Sequence, residues 1–113
     1  MRKFDKPALE QQINRVNFFI QEANEHFKND DLTKTKQYLK AIEYAAYIPL
    51  RELSEEREVY HNEPLAIEKA ELALQEISPY FAFARDYLHT GHARGLTHSL
   101  QAIHDILRRY FNV

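Results

Sequence analysis

Apolar residues along this chain recur at alternating steps of four and three, the spacing that keeps them on one side of an α-helix. Leu9, Ile13, Val16, Ile20, Ala23 and Phe27 form a first seam. A second runs through Leu32, Thr35, Leu39, Ile42 and Ala46 and reaches Pro49, Leu53 and Tyr60 in the same phase. The third is Ile67, Ala70, Leu74, Ile77, Phe81, Ala84 and Leu88, and the fourth Ala93, Leu96, Leu100, Ile103, Leu107 and Tyr110. Such seams belong to helices packed against one another, so the pattern predicts four of them.

The polar residues between the seams supply the helix ends. Asp5 is expected to cap the first helix, with Pro7 harmless in an opening turn whose amides have no helical partner anyway. Asn29-Asp30-Asp31 breaks the pattern and offers an N-cap to the second helix, and His61-Asn62-Glu63-Pro64 makes the next turn with Asn62 as cap. Thr90-Gly91-His92 makes the last, where Gly91 suits the left-handed position after a helix. Pro49 and Pro79 fall inside the second and third segments, and each removes one helical hydrogen bond. The seam keeps its phase across both. The reading is therefore two long helices kinked at Pro49 and Pro79, the alternative being a new helix capped by Ser78.

The chain also repeats at an offset of 61 residues. The first seam maps onto Ala70, Leu74, Ile77, Phe81, Ala84 and Leu88, the second onto the fourth from Ala93 to Tyr110, and the turn at Asp30 onto the turn at Gly91. Leu39-x-Ala41-Ile42 recurs as Leu100-x-Ala102-Ile103. The fold class predicted is all-α: an up-down four-helix bundle made of two related hairpins, about 5–61 and about 63–112, in one domain spanning 1–113. At ~1.5 Å per residue its helices should run roughly 30–45 Å.

Composition narrows the function classes. The 113 residues are 44% hydrophobic and 28% charged, a globular balance. Only 2 glycines and 4 prolines are present, too few for the turns of an all-β fold. A net charge of -2 gives no global attraction to nucleic acid or anionic lipid. With no cysteine, disulfides, thiolate metal sites and cysteine nucleophiles are excluded. The opening MRKFDKPALEQQ lacks the apolar core of a signal peptide, and no run is long enough to span a bilayer. A cytoplasmic location is the default expectation.

Seven tyrosines and seven phenylalanines with no tryptophan are more aromatics than the seams need. Tyr44, Tyr47, Tyr80, Phe83 and Tyr87 flank the second and third seams, and tyrosine suits a surface that is covered part of the time. These five residues are the candidate interaction face, and the expected partner is a second copy, giving a homodimer, or another helical protein.

Four of the six histidines lie between Tyr87 and Leu107. His98 falls opposite the seam of its helix and His104 at its edge, about 120° apart around the axis, so the two cannot share an ion. Asp86, His89 and His92 have the only usable metal-ligand spacing, with imidazole and carboxylate donors suited to Zn, Ni or Cu. Against that, His89 is placed to interact with the helix C-terminal dipole and His92 to cap the next helix.

Other chemistry finds little support. The acidic run in RELSEEREVY alternates with Arg51 and Arg57 at pairing distance and reads as a solvated face. Glu58-Val59-Tyr60-His61 is a single E-x-x-H at a helix end, where a di-iron bundle needs two facing copies. Lys34, Lys36 and Lys40, with Arg108 and Arg109, are local basic spots without aromatic interleaving, so no nucleic acid is expected. No catalytic residue and no cofactor emerges.

Two resemblances attach to these residues. Ala23-Asn24-Glu25, Asn29-Asp30-Asp31 and Leu39-x-Ala41, followed by Ile48-Pro49-Leu50, resemble the helical hairpin of YfdX-type bacterial proteins. That likeness implies an all-helical, stress-associated protein without an established enzymatic activity. Gly91-His92, His98, Ala102-Ile103-His104 and Leu107 are similar to histidine-rich four-helix small metal-binding proteins, which implies divalent-metal binding. His98-Ser99-Leu100-Gln101-Ala102 looks like the H-x-L-K-G motif of histidine phosphotransfer domains, but Gln101 and Ala102 replace the residues that assist the phosphate. The expected function is thus a non-enzymatic interaction protein, self-associating and regulatory, with metal binding around Asp86–His104 as the alternative.

Overall fold

The computed structural model describes residues 5–111. Its helices are α1 (Lys6–Lys28), α2 (Leu32–Ile42), α3 (Ile48–Glu55), α4 (Pro64–Thr90) and α5 (Ala93–Tyr110), with no strand among the described residues. A π-helical segment, Glu43–Tyr47, joins α2 to α3 with helical backbone angles on either side, so the two form one rod. Four rods result. α1 packs on α2, α3 on α4, α4 on α5 and α5 on α1, closing a ring of neighbours in a body of 46 × 21 × 20 Å.

The ends form where the capping residues dictate. The Asp5 carboxylate accepts the Ala8 N–H at 3.0 Å, and the Asp31 carboxylate accepts that of Lys34 at 3.1 Å, each satisfying an amide the helix cannot. Gly91 turns the chain at φ 74°, the left-handed conformation that costs glycine nothing. Asn62 is not the cap expected of it. Glu63 occupies that position without a side-chain hydrogen bond, and α3 stops at Glu55, which leaves Tyr60 in the connecting turn rather than on a helix.

The 61-residue repeat holds at the level of individual hydrogen bonds. Asp30 and Gly91 are the two described residues with positive φ, at 59° and 74°. Asp31 N–H donates to His26 O, and His92 N–H to Tyr87 O, both at 2.9 Å. Asp30 N–H donates to Phe27 O at 3.2 Å, and Gly91 N–H to Leu88 O at 3.3 Å. The caps Asp31 and His92 complete the match, each accepting the N–H three residues on. The chain therefore consists of two hairpins with one turn geometry.

The core is one apolar cluster running the length of the ring. Leu9, Ile13, Val16, Ile20 and Ala23 bury as their spacing requires, as do Leu96, Leu100, Ile103 and Leu107. Phe27, Tyr60, Leu74 and Tyr110 are only partly buried against the core, and three other seam residues depart from the pattern. Leu32 and Ala93 open their helices at exposed positions, and Pro49 is only half-buried while Leu50 fills the core. The π segment accounts for the last. Ile48 N–H reaches five residues back to Glu43 O, so the turn holds an extra residue and the buried position moves from 49 to 50. The wider turn also relieves the clash a proline ring makes with the carbonyl four residues before it. Pro79 sits on the exposed side of α4, which continues through it, and the neighbouring Ser78 hydroxyl donates to Leu74 O at 2.6 Å.

Candidate functional site

The histidines of the second hairpin are spread out. His92 caps α5, its Nδ1 accepting the Gly95 N–H at 2.8 Å, and its ring lies 5.2 Å from that of Tyr87. His89 is exposed near the end of α4, Asp86 is exposed one turn earlier, and Thr90 Oγ1 donates to the Asp86 backbone carbonyl at 3.1 Å. Among the described residues, no three His, Asp or Glu side chains gather into a metal-ligating group. His98 faces outward as its position on α5 requires. His104 lies at the edge of the core, where burial, reinforced by the Arg108 charge, pushes its pKa below the ordinary imidazole value.

The five aromatics nominated by their flanking positions divide in two. Tyr47, Tyr80 and Tyr87 are half-buried and pack on the core. Tyr47 meets Phe81 edge-on at 6.1 Å, Tyr80 meets Phe83 edge-on at 5.9 Å, and Tyr87 lies over Gly95. Tyr44 and Phe83 are exposed. Periodicity alone could not separate the two groups, because residues beside a seam pack or protrude according to how closely the next rod approaches.

Phe83 has companions that the seams passed over. Leu65, Leu72 and Phe83 are 62%, 41% and 48% exposed, three of the seven large apolar side chains exposed among the described residues. At ~100° per residue they and Pro79 fall within about 40° of one another. They therefore make an apolar stripe along α4, turned away from the core face of Ala70, Ile77 and Ala84.

A second feature opens between α2 and α4. α3 packs closely on α4, but α2 does not, so the rods part beyond the Tyr47–Phe81 contact. The space is a cleft of about 410 Å³ lined by Leu32, Leu39 and Leu88 with Lys36, Lys40, Glu43, Arg85 and His89. Arg85 Nη1 donates to Glu43 Oε1 at 3.0 Å across it. On the other side of that bridge a smaller hollow of about 240 Å³ continues along the same two rods past Tyr47, Ser78 and Phe81.

Further ion pairs join α4 to its neighbours or lie within one helix. Glu76 of α4 accepts hydrogen bonds from Arg109, at 2.8 Å, and from the Tyr110 hydroxyl, which raises the phenol pKa. In the acidic run, Arg51 Nε pairs with Glu55 one turn on, at 2.9 Å, while Arg57 reaches Glu71 on α4. Compared with known protein families, curated proteins and solved structures, the chain matches none. No helix among the described residues is long and apolar enough to cross a membrane.

Proposed function

We propose that this chain is a non-catalytic interaction protein that pairs with a second copy of itself through the outer face of α4. The observation that carries the reading is the stripe of Leu65, Leu72 and Phe83, exposed along one side of the longest helix. A two-fold pair with the α4 helices antiparallel sets Leu65 of one chain against Phe83 of the other and brings both Leu72 side chains near the axis.

Magnitudes define the kind of dimer. Burying the exposed half of each side chain is worth roughly 1 kcal/mol, so six of them contribute on the order of 6 kcal/mol. Association costs about 4–15 kcal/mol in lost freedom. The cost offsets most or all of that gain, so these side chains alone support only weak, rapidly reversible pairing that is populated toward millimolar concentration and above. Light scattering over a concentration series tests this. Leu72→Glu and Phe83→Glu should each hold the chain monomeric while leaving its helical content unchanged. EDTA should leave the dimer in place; a chelator-sensitive assembly would support metal binding by Asp86, His89 and His92 instead.

A further inference from the structure

We infer that the cleft between α2 and α4 is a docking groove for an acidic amphipathic helix of a partner protein. The inference rests on the chain being an interaction protein but not on its dimer, because the groove and the α4 stripe lie on different sides of that helix. At ~100° per residue, Arg85 and His89 are displaced by well over 90° from Leu65 and Phe83.

The groove has the parts that helix-in-groove recognition uses. Its floor is apolar, with Leu39 and Leu88 supplied by the core and Leu32 left half-exposed at its mouth. A volume of about 410 Å³ accepts three or four aliphatic side chains but not a whole helix, so the occupant lies along the opening and inserts one face. From Leu32 to Glu43, the wall formed by α2 and the first residue of the π segment is twelve residues, ~16 Å or about three turns. That length matches anchors at i, i+3 or i+4, and i+7.

Charge selects among occupants. Lys36 and Lys40 stand one turn apart on one wall, and Arg85 and His89 one turn apart on the other. Among the described residues Lys36, Lys40 and His89 form no ion pair, and Arg85 is held by Glu43. Three permanent cations thus face one carboxylate, in a chain whose net charge is -2. A single carboxylate head group would engage one level of this ladder and leave the other unmet. A helix with acidic residues on both sides of an apolar spine meets both walls at both levels. Irregular backbone marks the place where the groove begins. The π segment of the first wall ends at Tyr47, which touches Phe81 two residues after Pro79. Isolated π turns occur often at functional sites.

The test pans a displayed library of randomised helical peptides against the folded full-length chain. Enrichment of apolar spines flanked by Asp or Glu is expected. A synthetic member should bind, weaken at least tenfold on Lys36→Glu/Lys40→Glu, and weaken as salt rises from 50 to 300 mM, by roughly the screening expected of partly exposed charges. Phe83→Glu should leave that binding unchanged, and Lys36→Glu/Lys40→Glu should leave self-association unchanged, so either claim can fail without the other. Both lysines are exposed, so the fold should survive their reversal, checked by circular dichroism. Three results would overturn the inference: no enrichment over a control surface, enriched spines without acidic flanks, or binding indifferent to the two lysines. Saturation of the groove by dodecanoate with no acidic peptide enriched would assign it to an aliphatic acid instead.

Discussion

Gly95 lies against Tyr87, and a Cβ built on it would clash with the Cγ, Cδ1 and Cε1 carbons of the ring. The position is helical, where alanine ordinarily exceeds glycine by about 1 kcal/mol. Overpacking reverses that preference, so Gly95→Ala should destabilise by about 1–3 kcal/mol. In a Tyr87→Ala background the ring is gone and the same change should stabilise, a reversal that urea unfolding of the four variants would read directly. His104 gives a pH test. Its folded pKa is lowered, so below about pH 6.5 the unfolded chain takes up a proton that the native site resists, and stability falls with pH. His104→Gln should flatten the decline in melting temperature between about pH 7 and 5. An unchanged slope would show that other groups carry it. The position of His104 at the seam edge was legible in the sequence, because it follows from angular position alone. The Gly95–Tyr87 contact was not, since it depends on how the turn at Gly91 folds one helix onto the next.

At the scale of elements, the two turns make the most specific claim. Asp30 holds in the first hairpin the left-handed conformation that Gly91 holds in the second. Aspartate tolerates that conformation because its short side chain bonds locally, whereas a β-branched residue does not. Gly91→Asp should therefore cost under about 1 kcal/mol and Gly91→Val about 2 kcal/mol or more, compared by thermal unfolding. Equal costs would contradict the equivalence of the turns. Helix existence and the hairpin repeat were readable because periodicity and capping are local properties. The departures were not local. Leu32 was placed in a seam by its spacing, but at the first position of α2 no neighbouring rod covers it. The spacing of Pro49 fits a seam only for α-helical geometry, and the segment before it is π-helical. Asn62 lost the cap because the helix begins one residue later than the turn composition suggests.

At the scale of the whole molecule, four rods close a ring about 46 Å long and 20 Å across, with a large fraction of every helix at the surface. A core this slender buries one stripe per rod and leaves others exposed. The exposed residues of α4 were visible in the sequence only as apolar positions off the seam. Their alignment into one stripe requires α4 to continue unbroken past Pro79, as it does. The groove was not visible at all, because it exists where α2 fails to approach α4, a property of the Tyr47–Phe81 contact and not of either helix alone. The two surfaces divide the proposed work: one face for a second copy, one for an acidic helix.

Light scattering coupled to size exclusion, from about 10 μM to 1 mM, tests the central claim most directly, since weak pairing through exposed side chains shows first at the highest concentrations. The account predicts a mass rising from one chain toward two, with Leu72→Glu and Phe83→Glu staying at one throughout. A wild-type chain that remains monomeric at the highest concentration, or a dimer that both substitutions leave intact, would contradict it.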